Sequence, residues 1–310
     1  MVKAKPPLAV IAGPTASGKS ALALALALEV GDAVIINADS AQVYRDLPIL
    51  SAAPSESDRA AADHRLYGVL DGANPCSAAD WAAMARDEIT EAHGAGRLPI
   101  LAGGTGLYLR TLLDGIAPVP PIDPEIRSEI RATGVADNLA ALSRLDPEAA
   151  ARLNAGDTTR IARALEVVRS TGSTLAYWQK RRTGGIGDSV SLRPLILLPP
   201  KAWLMERCDR RFAMMIAAGA LEEVRSLLGR GLNPDLPVMR AIGVPELATA
   251  VRGEMSIDQA AEAGRLATRR YAKRQYTWFG NQPPADWPRF VEPLEKDAVG
   301  VALALLGASG

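Results

Sequence analysis

Residues 13–20 read Gly-Pro-Thr-Ala-Ser-Gly-Lys-Ser, and the apolar run Leu8–Ala12 leads directly into them. Glycines at 13 and 18 allow the backbone to fold into a concave nest of N–H donors around a phosphate. Lys19 adds a point charge on the outer phosphate, and the Ser20 hydroxyl stands where Mg²⁺ would be held. A helical stretch from Ala21 to Glu29 follows and brings its positive dipole end. Gly13, Pro14, Thr15, Ala16, Ser17, Gly18, Lys19 and Ser20 are therefore predicted to bind a di- or triphosphate. The bland alternative is a glycine-rich turn with an incidental lysine, and the correct flanks on both sides count against it. The motif does not say whether the ligand is ATP.

A second run, Asn37-Ala-Asp-Ser-Ala-Gln-Val-Tyr-Arg45, follows the apolar segment Ala33–Asn37. Parallel α/β sheets gather ligands at the carboxyl ends of their strands, so Asp39 is expected beside the phosphate loop. There it could ligate Mg²⁺ through water or act as a general base; an Asx turn after a strand is an equal alternative. A third run, Gly103-Gly-Thr-Gly-Leu-Tyr108, places the Thr105 hydroxyl at a strand end. Its glycines would serve either close approach to a ligand or a tight strand-to-helix turn. Arg269, Arg270, Lys273 and Arg274 put four cations in six residues, interleaved with Tyr271, Tyr276, Trp278 and Phe279. On a helix these cations pair as like charges at i,i+4, which is unfavourable unless an anion offsets it. A solvated face opposite an aromatic stripe is the alternative. Neither His64 nor His93 has a catalytic or metal-site partner nearby in sequence.

The elements that must position these residues follow a βαβ rhythm. Leu8–Ala12, Ala33–Asn37 and Leu98–Ala102 read as buried parallel strands, with helical stretches over Ala21–Glu29 and Ser77–His93 between them. A fourth strand, Leu192–Leu198, resumes only after the interval 118–189. That interval has helix starts at Asp123-Pro124, Asp146-Pro147 and Asp157-Thr158. The expectation is an α/β core with a parallel sheet flanked by helices, residues 1–117 and 190–310, interrupted by an all-helical domain at 118–189. Further helices are predicted over Trp203–Ala218, Ala220–Gly229 and Ile257–Phe279. The chain has 310 residues, 48% hydrophobic and 23% charged, with no apolar run near membrane-spanning length. A cytoplasmic protein is expected, and Cys76 and Cys208 read as free thiols. Net charge is zero, yet residues 192–282 carry 14 basic against 9 acidic residues, which makes them the candidate surface for a polyanion.

Taken together, the motifs resemble those of the bacterial tRNA dimethylallyltransferases, the isopentenyl-diphosphate:tRNA transferases. They are the three runs above together with Arg160-Ile-Ala-Arg-Ala-Leu-Glu-Val167, Met239-Arg-Ala-Ile-Gly243 and Thr268-Arg-Arg-Tyr-Ala-Lys-Arg-Gln-Tyr-Thr-Trp-Phe279. The resemblance extends over roughly residues 8–280. It implies a P-loop NTPase-like core and an inserted helical domain that binds tRNA. It also implies transfer of a dimethylallyl group from dimethylallyl diphosphate to N6 of the adenosine 3′ of the anticodon, in tRNAs reading codons that begin with U. Asp39 would be the general base and Thr105 an orienting residue. The phosphate loop and Arg240 would hold the diphosphate, with Mg²⁺ on Ser20. Asp39, Ser40, Ala41, Gln42, Thr159, Arg160, Ile161, Ala162, Arg163, Arg269, Arg270, Lys273 and Arg274 would contact the anticodon stem-loop. A monomer with no membrane partner is expected.

The chain departs from the family pattern at several places. Gly-Thr-Ala-Lys-Pro is here Leu50-Ser-Ala-Ala-Pro54, Ile-Gly-Tyr-Lys-Glu is Ile242-Gly-Val-Pro-Glu246, the glutamine before Arg160 is Thr159, and Gly280 replaces an arginine. The rival readings are a small-molecule kinase of the P-loop class and an isopentenyltransferase acting on free adenine nucleotides. A non-enzymatic nucleotide-gated RNA adaptor ranks last, since it leaves Asp39 and Thr105 without work.

Overall fold

The computed structural model describes residues 4–307; the first three residues of the basic opening, Met1 to Lys3, lie outside the described residues. The apolar runs form β1 (Pro7–Ala12), β2 (Ala33–Asn37), β4 (Leu98–Gly103) and β5 (Ser191–Leu197). The polar β3 (Asp63–Arg65) and the two-residue β6 (Arg289–Phe290) complete a six-stranded, all-parallel sheet in the order β3-β2-β4-β1-β5-β6. Neither edge strand is legible as an apolar run: β3 is three polar residues and β6 only two residues long, short and charged as edge strands commonly are. β2 and β4 are buried along their whole length, as expected where helices cover both faces of a parallel sheet.

Helix α1 (Lys19–Val30) starts two residues before the expected Ala21, because Lys19 and Ser20 themselves form its first turn. Its N-cap, Gly18, is left-handed at φ 101° and supplies no side-chain cap. The short α2 (Glu56–Ala61) and α3 (Ala78–Gly94) instead begin with closed capping boxes, Ser55 with Asp58 and Ser77 with Asp80. The start of α1 thus keeps its amide donors for an anion. Leu22 and Leu26 of α1 pack against Ile11, Ile35, Ile100 and Leu195 of the sheet, together with Ala302 and Leu306 near the carboxyl end. The tail after residue 282, uninformative as sequence, contributes β6 and α14 (Lys296–Leu305) to this core.

After α4 (Gly106–Asp114), Leu113–Gly185 forms a compact unit of its own, and the chain up to Leu112 and from Ile186 forms the other. The helical unit contains α5 (Pro124–Ala132), α6 (Val135–Leu145), α7 (Pro147–Arg152), α8 (Thr158–Thr171) and α9 (Leu175–Gln179). Asp123, Asp146 and Asp157 cap α5, α7 and α8 through their side chains, each worth about 1 kcal/mol. Ile130, Leu142, Ile161, Leu165 and Val168 fill its core. An antiparallel bridge between Ile116 and Thr183 closes the unit, so the proline run at 118–121 lies inside it and not at its border.

The remaining helices are α10 (Lys201–Ala217), α11 (Ala220–Gly229), α12 (Val244–Val251) and α13 (Ile257–Asn281). α12 has no counterpart in the sequence reading. Pro245 sits in its first turn, where a missing N–H costs nothing, and Glu246 accepts from the Gly243 N–H at 3.0 Å. The departures at 244–245 therefore start a helix, and Val244 is buried.

Candidate active site

The phosphate loop turns through positive φ at Gly13 (151°), Ala16 (63°) and Gly18 (101°), the alternation that produces a nest of amides. A Cβ at Gly13 would stand 2.5 Å from the Leu197 carbonyl oxygen, so only glycine fits there. Lys19 donates from Nζ to the Pro14 carbonyl at 2.7 Å and so lies along the loop. Burial lowers its pKa to about 8, partly opposed by the nearby negative charge of Asp39. The hydroxyl of Ser17 is buried with no hydrogen-bond partner among the described residues.

Two helices from the far end of the chain press on this loop. Ala16 packs against Leu204 and Cys208 of α10 and Ala272 of α13. Arg211 of α10 donates to the Thr15 hydroxyl, and desolvation lowers the pKa of its guanidinium. Arg207, Arg210 and Arg211 line the pocket over the loop together with Lys19, Ser20 and Asp39. Sequence reasoning missed these three arginines. Their i, i+3, i+4 spacing in a helix of the basic segment was the available clue.

Asp39 is held by a buried frame. Asn37 accepts from the Asp39 N–H at 2.8 Å and donates to the carbonyls of Asp39 and Leu66, both at 3.0 Å. Trp81 in turn donates to the Asn37 carbonyl at 2.8 Å. The Asp39 Oδ1 accepts from the Ala41 N–H at 3.0 Å, so the Asx turn exists. It orients the carboxylate without consuming it, since Oδ2 accepts no hydrogen bond among the described residues. Asp39 also lines a second pocket, with Tyr44, Leu47, Cys76, Tyr108, Phe212 and Tyr271. The two pockets share Thr15, Asp39, Ser51 and Arg211 in their walls. One is cationic and the other largely apolar and aromatic.

Thr105 lines neither pocket. Its Oγ1 accepts from the Ser40 N–H at 2.9 Å, and its own N–H donates to the Ala38 carbonyl at 3.1 Å. Tyr271 stands near it, with its pKa raised by burial and by the charge of Asp39. Thr105 thus fixes the Asp39–Ser40 backbone from behind. Packing requires the glycines beside it: a Cβ would stand 2.4 Å from Gln275 Nε2 at Gly104 and 2.3 Å from Trp278 at Gly106.

The other predicted site residues fall in different settings. Arg240 lines the apolar pocket, whose wall also includes Thr15 of the phosphate loop, and it pairs with Asp235. Gln42 is engaged within the chain, donating to Ser51 and Ala52 carbonyls at 3.0 and 2.8 Å. Ile161 and Ala162 are buried in the helical unit's core and present no side chain outward, whereas Thr159 and Arg160 are exposed and Arg163 half-exposed. Arg269 is neutralised by Asp209 at 2.6 Å and Glu262 at 3.1 Å. Arg270, Lys273 and Arg274 remain exposed on α13, with Ala272, Gln275 and Phe279 on its buried stripe. Ser40 and Ala41 are half-exposed beside Asp39. Both cysteines are free; His64 and His93 bond backbone carbonyls at 2.8 Å, which are structural roles.

No cluster of three or more His, Cys, Asp or Glu side chains among the described residues could cage a metal. That is compatible with Mg²⁺, which takes one or two protein ligands and otherwise phosphate oxygens and water. Ser20 stands in the cationic pocket with the loop, so the donor set fits a metal carried with a diphosphate.

The family model described as IPP transferase matches residues 42–282, and one described as isopentenyl transferase matches residues 6–74. The tRNA dimethylallyltransferase of Sphingopyxis alaskensis is 60% identical over 292 residues, covering 94% of this chain and 95% of the relative. A full-length tRNA isopentenylpyrophosphate transferase from Bacillus halodurans superposes with a TM-score of 0.70 at 31% identity, covering 98% of this chain and 97% of that one. A eukaryotic dimethylallyltransferase described as acting on tRNA gives a TM-score of 0.75 at 26% identity, over 88% of this chain and 69% of that one.

Proposed function

The chain belongs to the tRNA dimethylallyltransferase family, and from that premise we propose that it prenylates tRNA. It transfers a dimethylallyl group from dimethylallyl diphosphate to N6 of the adenosine immediately 3′ of the anticodon, in tRNAs reading codons that begin with U, and releases diphosphate. The observation that carries this reading is the place of Asp39, one carboxylate in the walls of both the cationic and the apolar pocket.

The roles follow from chemistry. An adenine amine is a weak nucleophile because its lone pair is delocalised into the ring. Asp39, with Oδ2 free, accepts the amine proton as the C–N bond forms, an effect of roughly 10²–10⁴-fold. The C–O bond to diphosphate breaks as that bond forms, and negative charge grows on the leaving group. The loop amides, Lys19 and Arg211 stabilise this charge in a partly desolvated site, with Arg207 and Arg210 at the pocket wall. Mg²⁺ held by Ser20 would supply further charge neutralisation on the diphosphate. Thr105 and Asn37 keep the base aimed. A stacked loop base cannot reach such a site, so the adenosine is expected to flip out.

The test is to incubate the protein with radiolabelled dimethylallyl diphosphate and unmodified tRNA, with AMP and γ-labelled ATP as alternative partners. Label in tRNA supports the reading. Label in AMP, or phosphate passed from ATP to a small alcohol, overturns it.

A further inference from the structure

Within the Leu113–Gly185 unit, the side chain of Glu166 on α8 is only 1% exposed, yet three arginines converge on it. Arg131 Nε donates to Oε1 at 2.8 Å, while Arg127 Nε and Arg163 Nη1 stand 3.9 and 3.7 Å from Oε2. Arg127 and Arg131 come from α5 and Arg163 from α8, so one carboxylate joins two helices. All three arginines reach the surface, with side-chain exposures of 52%, 55% and 39%. Glu166 is the one acid paired with any of them among the described residues, and its buried Oε2 lacks a hydrogen bond. Neighbouring Arg169 shows the contrasting case, a one-to-one pair with Glu129 through two contacts of 2.8 Å.

The charges around Glu166 do not balance. One carboxylate among three guanidiniums leaves two positive charges on an exposed face. A buried carboxylate is also a costly way to join helices, since an apolar side chain of similar volume commonly does it as well or better. What the carboxylate adds is placement: it holds three planar, five-donor groups together against their mutual repulsion. Of those donors, the Nε of Arg131 is engaged in a hydrogen bond with the carboxylate. The other donors suit an anion with several oxygens.

We propose that Arg127, Arg131 and Arg163, arrayed by Glu166, form a cradle for a phosphodiester of the tRNA backbone. Glu166 is a positioning residue in it. The inference rests on the tRNA reading above and deepens it, extending the RNA-binding surface to two arginines of α5.

The test measures binding of an unmodified anticodon stem-loop RNA to the full chain across a KCl series. The double variant Arg127→Ala/Arg131→Ala is expected to bind about tenfold more weakly. Its log–log salt slope should shrink by about 0.7–0.9, the contribution of one neutralised phosphate. Binding of dimethylallyl diphosphate and a cooperative thermal melt report that the variant is folded. Glu166→Gln separates placement from charge. A carboxylate without a positioning role would, once neutralised, leave RNA affinity unchanged or raise it; loss of affinity is expected here. Unchanged affinity and slope in the folded double variant would falsify the cradle. So would loss of inorganic phosphate binding with RNA binding intact, which would assign the site to a free small anion. Failure of the functional reading looks different: wild-type protein would bind the donor and prenylate no tRNA.

Discussion

Gln275 accepts a hydrogen bond from the backbone N–H of Thr15 at 2.8 Å, 260 residues away in the chain. Its Nε2 donates at 2.7 Å to the carbonyl of Gly104. One carboxamide on α13 thereby joins the phosphate loop to the loop carrying Thr105. Gln275→Ala leaves the buried Gly104 carbonyl and the part-buried Thr15 N–H without this partner, at a cost of about 1–3 kcal/mol for each. A drop in urea-unfolding stability of about 2–4 kcal/mol is expected, with a rise in KM for the donor. Full stability in the variant would show that the bridge is incidental.

Asp39→Asn preserves the Asx turn, because the amide oxygen can still accept from the Ala41 N–H. It removes the proton acceptor. Prenyl transfer should fall by about 10²–10⁴-fold while donor binding stays within a few-fold. Single-turnover transfer and equilibrium binding of the donor separate the two. Near-normal turnover would reject the base assignment.

Lys19 makes donor binding pH-dependent. With a pKa of about 8 it carries its charge below that pH and loses it above. Donor affinity should be greatest below pH 8 and fall as pH rises through it, by up to about tenfold per unit if only the ammonium form binds. The stability of the unliganded protein should move the opposite way. Between about pH 8 and the ordinary lysine range the unfolded chain binds the proton that the folded site rejects, so stability rises with pH. KM for the donor and thermal melts over the same pH series check both signs. Lys19→Arg should flatten the KM profile, since arginine stays protonated throughout.

The legible part of the site was local in sequence. Gly13 to Ser20 and Asn37 to Arg45 each follow a buried strand, and the strand-end rule was enough to bring them together. The helix starts at Asp123, Asp146 and Asp157 were readable because a side-chain cap acts within three residues. What escaped was non-local. Nothing near Arg211 marks it as a partner of Thr15, 196 residues earlier, and nothing near Gln275 marks it as a bridge. Charge was legible but its neutralisation was not: Arg269 looked like a free cation until Asp209 appeared across from it on α10.

Arg211 donates to Thr15 of the phosphate loop while Arg240 pairs with Asp235, so the two are expected to differ as diphosphate ligands. Arg211→Ala removes a guanidinium next to the loop and is expected to raise the KM for dimethylallyl diphosphate at least tenfold, a loss of about 1.4 kcal/mol or more in binding. Arg240→Ala removes an exposed side chain on the apolar pocket and should change donor KM less than twofold. Isothermal titration with the donor compares them. Equal losses in both variants would make both arginines diphosphate ligands.

Glu223 on α11 holds the wall that replaces the family's lysine-containing segment. Its two carboxylate oxygens accept from the N–H groups of Ile49 at 2.7 Å and Leu50 at 2.9 Å. From the other side Gln42 donates to the carbonyls of Ser51 and Ala52, and Ala52 sits at φ 54°, a strained value for a residue with a side chain. Leu47, Leu50 and Ser51 face the apolar pocket, and Ser51 and Ala52 face the cationic one. The segment is thus held in an unfavourable backbone conformation by two side chains, one on each side of it. Glu223→Ala removes two charge-assisted bonds worth about 1.5–3 kcal/mol each before relaxation. Because loops can relax to water, a net loss nearer about 2 kcal/mol is expected in urea unfolding. KM should rise for tRNA and for dimethylallyl diphosphate together, since the segment borders both pockets. A change confined to one substrate would mean that the two walls are held independently.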